Sequence, residues 1–374
     1  MPARQLLYYV SGHGYGHATR SAAIIREFVK QAPQWTVHVR TSAPPRLFDG
    51  VPNTIVHLQP KSLDPGVVED PDALGVDVPA TLTQLEAYYD QREATKAAEL
   101  AWLAEREIVL IVADFPPLAG EIAAAAGLPC VGIGNFTWDW IYEPLIAGHE
   151  RRQVLLEWIR AGYGRMRTML RLPFSHTSGL EMFGEVQAMP LAARRATRDR
   201  AETLKHLGLE AGDERRRVVL AMRGRIPRAA RERAARENPD CLFLHFETDA
   251  APCAENMRAV ELTPSVNFTD VLQVADVVVS KLGYGILSEC IAAEKPILCP
   301  PRRCFREDEI FDREAAKYVR LLGISQAAFA AGDWRTSLQR LLSLPRPAAE
   351  MPQDGAACCA RFIAASAERA YRRP

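Results

Sequence analysis

Residues 11 to 20 read SGHGYGHATR, setting His13, His17 and Arg20 among Gly12, Gly14 and Gly16. The apolar run LLYYV precedes them and the amphipathic segment ATRSAAIIREFVKQ follows, so the glycines mark a strand-to-helix turn. Glycine allows the tight turn and the close approach of a ligand, and the free N–H groups of a helix start favour anions. The third glycine comes one position early for G-x-G-x-x-G, so the match to a nucleotide fingerprint is loose. A neutral imidazole at the mouth of such a helix can take a proton from a hydroxyl near pH 7. His17 is the expected base because it lies nearest the helix start, with His13 beside it as a ligand contact. The bland alternative is that both only cap the turn. Arg20, one turn further, either meets an anionic group or closes a salt bridge.

A histidine base works better when a carboxylate fixes its second nitrogen. Asp114 ends the apolar run IVLIVA and precedes FPP, which puts it at the C-terminal edge of a buried strand. It either orients His17 or caps the helix that Pro116 and Pro117 introduce, and the two roles are compatible. The next run ends in GNFTWDW, which brings Asn135, Trp138 and Asp139 to the same edge as contacts for a sugar or aromatic acceptor; packing beneath a loop is the commoner use of tryptophan.

A second glycine turn stands in ADVVVSKLGYGILSE (275 to 289), where Lys281, Gly283, Tyr284 and Gly285 open a helix that carries Ser288 and Glu289. Its first amides can hold a diphosphate and stabilise the charge that grows on it as it leaves. Across from it, AMRGR places Gly224 between Arg223 and Arg225, whose forked guanidinium groups suit phosphate oxygens and can stand in for a metal ion. The acidic stretch FREDEIFD (305 to 312) offers Glu307 and Glu309 to sugar or ribose hydroxyls, although such a run is more often a solvated helix start.

These residues need strands to carry them. Strand-length apolar runs alternate with helical patterns through LLYYV, TVHVRT, IVLIVADF and PCVGIGNF, and the pattern restarts at RRVVLAMRGR, CLFLHFE, RAVELTP, ADVVVSKLGYG and KPILCPP. That alternation predicts an α/β protein of two doubly wound parallel sheets, with residues 1–172 and 173–354 as domains facing a cleft. The helical segment 355–374 is expected to pack back toward the first. With 374 residues the chain can fill both cores. Lysine plus arginine (46) balance aspartate plus glutamate (46), which leaves no global field for nucleic acid or an acidic membrane. The eight cysteines are scattered without C-x-x-C or zinc-finger spacing. No apolar run reaches transmembrane length and no signal segment opens the chain, so a cytoplasmic protein is expected.

Taken together, SGHGYGHATR, VADFPP, GNFTWDWIY, ADVVVSKLGYGILSE, LRLPF and MPLAARR resemble the GT-B glycosyltransferases, and most closely the glycosyltransferase-like half of plant-type L-arabinokinases. The resemblance runs through essentially the whole chain. It implies two Rossmann-like lobes, an acceptor site in the first and a nucleoside diphosphate sugar in the second. It further implies His17 as base with Asp114 as its partner, the diphosphate on Gly283 to Gly285, and sugar contacts from Glu289 or from Glu307 and Glu309. A metal-independent glycosyl transfer to a small-molecule hydroxyl follows, with no cofactor beyond the donor. A non-catalytic nucleotide or sugar phosphate binder, or a nucleotide-sugar epimerase or hydrolase, are the alternatives. Two departures stand out: EDEIFD replaces the family's D-x-x-Q or H-x-x-N sugar contact, and MRGR replaces a plain glycine and serine loop. No glycine/serine-rich ATP motif of the sugar kinases is found, so arabinose phosphorylation is not expected.

Overall fold

The β-branched and apolar runs form parallel strands. The computed structural model describes residues 4–70, 74–247, 254–263 and 266–372; position 264 of the run RAVELTP and positions 373 and 374 of the terminal helical segment lie outside them. Among the described residues the first sheet contains β1 (Gln5–Val10), β2 (Thr36–Thr41), β3 (Thr54–Leu58), β4 (Ile108–Asp114), β5 (Cys130–Gly134), β6 (Thr168–Arg171) and β7 (Glu185–Ala188). Their order is β3-β2-β1-β4-β5-β6-β7, every neighbouring pair parallel. Leu6 to Val10 are all buried, as a parallel strand covered on both faces must be. The second sheet contains β8 (Arg216–Leu220), β9 (Cys241–His245), β10 (Met257–Ala259), β11 (Val277–Val279), β12 (Ile297–Cys299) and β13 (Leu321–Gly323), in the order β10-β9-β8-β11-β12-β13 and again parallel.

Each sheet reverses its winding once, between β1 and β4 in the first and between β8 and β11 in the second. Open α/β sheets bind ligands beyond the strand ends at that reversal. The residues after β1 and β4 are the first glycine turn and Asp114; those after β8 and β11 are AMRGR and SKLGYG.

The chain divides into two units. One is Met1–Ala193 with Cys304–Ile310 and Pro352–Pro374; the other is Arg194–Arg303 with Phe311–Met351. The division falls after Ala193, and not after 172, because β6 and β7 still extend the first sheet. Helix Gly355–Tyr371 is part of the first unit and packs on helix Gly16–Gln31, pinned by an Arg4–Glu368 ion pair of 2.7 Å.

Two helices of the first unit, Leu118–Ala125 and Arg152–Gly164, touch through backbone. A methyl group on Gly120 would press into the Gly162 carbonyl, and one on Gly162 into that of Pro117. Gly120→Ala is therefore expected to destabilise the first unit by about 1–3 kcal/mol, read as a lower urea midpoint.

On β2 and β3, His38 Nδ1 and His57 Nε2 lie 3.0 Å apart with the rings stacked, and Trp102 stands edge-on to both. Burial, then the charges of His57 and Arg106, push the His38 imidazole down to about 4; burial and Arg40 lower His57. The unfolded chain therefore binds more protons than the folded one between about pH 6.5 and 4, and stability is lost as pH falls through that window. Urea midpoints at pH 7.5 and 4.5 check this, and His38→Gln should flatten the difference.

Candidate functional site

The turn after β1 is built from positions that need glycine. Gly14 has φ 69°, and a side chain on Gly12 would enter the space of Ser42 Oγ. Helix Gly16–Gln31 begins directly afterwards, with His17 and Arg20 in its opening turns, and the Ser11 amide donates to the Asp114 carbonyl at 2.7 Å. The ends of β1 and β4 are thereby locked together.

On that frame stands a buried polar cluster. His17 Nδ1 lies 2.8 Å from Asp114 Oδ1. Arg20 grips the same carboxylate with both arms, Nε to Oδ2 at 2.8 Å and Nη2 to Oδ1 at 2.5 Å, while Ser21 Oγ donates to Oδ2 at 2.7 Å. Burial pushes the Asp114 carboxyl up, but Arg20 and then His17 outweigh it and hold the group at about 2. In the tautomer whose Nδ1–H donates to Asp114, His17 Nε2 carries its lone pair, and no described residue bonds to that nitrogen. The Arg20 Nη2 also lies 2.9 Å from Nδ1, and a bond there selects the opposite tautomer. Of the alternatives expected for Arg20, the structure shows the ion pair: its guanidinium is buried and bonded to the Asp114 carboxylate.

Asn135 continues the chain. Its Oδ1 accepts from Arg20 Nη1 at 2.7 Å and its Nδ2 donates to Glu307 Oε1 at 2.7 Å. Sequence order places Glu307 in the second domain, but Cys304–Ile310 belongs to the first unit, where Arg306 also donates to the Trp140 carbonyl and to Glu143. Glu309 is exposed in the same segment.

Three other expected acceptor contacts are differently placed. Trp138 is fully buried, stacked on Tyr142, and its indole N–H donates to Asp64 Oδ2 at 3.0 Å, so it offers no free ring face. Asp139 is buried and paired with Arg160 at 2.9 Å. His13 sits half-buried, edge-on to Trp138.

The sequence does not single out Asp64. It is buried, accepts from Ser11 Oγ at 3.0 Å and Ser62 Oγ at 2.8 Å as well as from Trp138, and so ties the first turn to the loop before Pro65. Burial raises its carboxyl while His17 and the hydroxyl donors lower it. Its one sequence signal was the DPG stretch, which reads equally as an ordinary turn.

In the second unit, Gly283 caps helix Tyr284–Ala292 in extended conformation with open space where a side chain would be. Lys281 is half-buried and its amide meets Met222 Sδ; Tyr284 is buried. Ser288 Oγ donates back to the Gly285 carbonyl at 2.9 Å. Glu289 is buried in an ion pair with Arg194 at 2.6 Å, which removes it as a free sugar contact. After β8, Arg223 is exposed and Arg225 half-buried, while Gly224 (φ 70°) donates its amide to Glu247 at 3.0 Å. Among the described residues no three His, Cys, Asp or Glu side chains are grouped to hold a metal, and no helix is long and apolar enough to cross a membrane.

Two parallel-sheet units with these glycine turns at their winding reversals make the GT-B glycosyltransferase fold. Solved structures agree: spinosyn forosaminyltransferase SpnP superposes with a TM-score of 0.61 at 14% identity over 98% of this chain and 95% of that one. UDP-glucose: anthocyanidin 3-O-glucosyltransferase in complex with UDP gives 0.58 at 13% identity over 98% and 94%. In sequence, the chain is similar to L-arabinokinase of Arabidopsis thaliana, 29% identical over 366 residues, or 95% of this chain and 34% of that protein. No family model matches.

Proposed function

We propose that the chain transfers a glycosyl group from a nucleoside diphosphate sugar to a hydroxyl of a small acceptor, without a metal ion and in the cytoplasm. The observation that carries this reading is the His17–Asp114 pair at the winding reversal of a GT-B sheet, with His17 Nε2 unengaged by any described residue. The acceptor O–H gives its proton to Nε2, the oxygen bonds to the anomeric carbon, and the bond from that carbon to the diphosphate breaks with its electron pair leaving on phosphate. The amides of helix Tyr284–Ala292, with Lys281 and Arg223, supply the stabilising charge. The nucleotides in the structural neighbours, UDP among them, name the first donors to try.

Donor loss is to be followed over a panel of nucleoside diphosphate sugars, with and without hydroxyl acceptors. Acceptor-dependent consumption supports transfer, and acceptor-independent consumption supports an epimerase or hydrolase. A second reading is favoured by Arg20, whose two-armed hold neutralises the carboxylate that would otherwise stabilise the imidazolium. On that reading the protein binds a nucleotide or sugar phosphate without turning it over, and calorimetry would give tight binding with no consumption.

A further inference from the structure

At the opposite edge of the second sheet, before β8 and β11 rather than after them, lies a surface cavity of about 600 Å³. Four arginines, Arg200, Arg215, Arg216 and Arg217, line it with three carboxylates, Asp213, Glu214 and Asp276. Arg217 is the buried arginine of the four. It is buried to 4% exposure, its Nη2 donates to the Glu210 and Asp213 carbonyls at 3.2 and 3.1 Å, and its Nε is buried with no hydrogen-bond partner. Among the described residues no carboxylate pairs with its guanidinium: Asp276 Oδ2 accepts from the Arg217 backbone amide at 2.8 Å, and Asp213 is taken by Arg215 at 2.7 Å. Arg200 gives Nη1 to the Gln273 carbonyl at 2.8 Å and likewise has no carboxylate partner there.

The Asp213 carboxylate feels the charge of Arg217 but is bonded to Arg215, so the Arg217 Nε stays buried without an acceptor, which is unfavourable, and the cavity beside it leaves room for one. We propose that this cavity binds a phosphate group, free or esterified to a hydroxylated small molecule, with Arg217 and Arg200 as its anion contacts. A phosphate matches the guanidinium fork and brings more charge than a single carboxylate. The Glu214 and Asp276 carboxylates on the same wall suit ligand hydroxyls, and the volume exceeds what a bare phosphate fills. The site lies at the end of the strands remote from the Gly283 turn, and it stands whether or not the proposed transfer is correct.

Thermal unfolding is to be followed against inorganic phosphate and against glucose 6-phosphate, with chloride at matched ionic strength, in wild type, Arg217→Met and Arg200→Ala. Wild type is expected to gain about 3 °C at a ligand concentration tenfold above Kd, and both variants to lose most of that gain. Whichever ligand acts at lower concentration identifies the free or the esterified form. An undiminished gain in either variant, or no gain in wild type with either ligand, overturns the proposal. Arg200 is exposed, so its variant keeps the test decisive even where Arg217→Met fails to fold.

Discussion

Asp114→Ala is expected to destabilise the first unit by about 3–5 kcal/mol, because it takes from the buried Arg20 charge the carboxylate that it grips with both arms. Asp114 receives both arms of Arg20, the Ser21 hydroxyl and the His17 ring, and none of these has solvent to fall back on. Chemical denaturation read by tryptophan fluorescence measures the loss. Adding Arg20→Met to Asp114→Ala should recover much of it, since an apolar side chain of similar length removes the buried charge. If the double variant is no more stable than the single one, the cluster does not hold the unit together as described. The pH dependence has a definite sign. A carboxyl held at about 2 contributes stability that is fully present above the ordinary aspartate range near 4 and is lost as pH falls through 2. That acid limb lies below the one His38 produces between about 6.5 and 4, so the two are separable in one titration.

His17→Ala is expected to lower acceptor-dependent transfer by about 10²–10⁴-fold, the range of a lost general base, while the urea midpoint moves far less than in Asp114→Ala. The ring is buried at the helix start and packs edge-on to Phe136, so its removal leaves a small hole and the Asp114–Arg20 pair intact. A split between rate and stability would separate a chemical role from a structural one. Wild-type rates in the variant, under conditions where wild type turns over, would leave the proton with another group.

The strands that could be read beforehand were those with continuous apolar runs. β1, β4, β5, β8 and β11 are buried on both faces, and their composition announces it. β7 (EVQA) is largely exposed and β3 (TIVHL) is a partly exposed edge strand, so neither has a run to recognise; missing β7 placed the domain boundary too early. His17 and Asp114 were legible because each follows a recognisable strand and such ends are where α/β sheets carry chemistry. Asp64, Arg194 and the placement of Glu307 were not. Each depends on a partner far away in sequence: Trp138 for Asp64, Glu289 for Arg194 and Asn135 for Glu307. Locally, each side chain already had a sufficient explanation as a turn, a basic linker or a solvated helix start.

Because residues 355–371 supply a wall of the first unit, its core stays incomplete during synthesis until more than 160 further residues have followed position 193. Until then helix Gly16–Gln31 lacks one of its covers, and a nascent or prematurely terminated chain presents that surface to other chains. A fragment cut after 193 should therefore collect in inclusion bodies, whereas supplying the 352–374 segment as a separate peptide should restore part of the soluble yield.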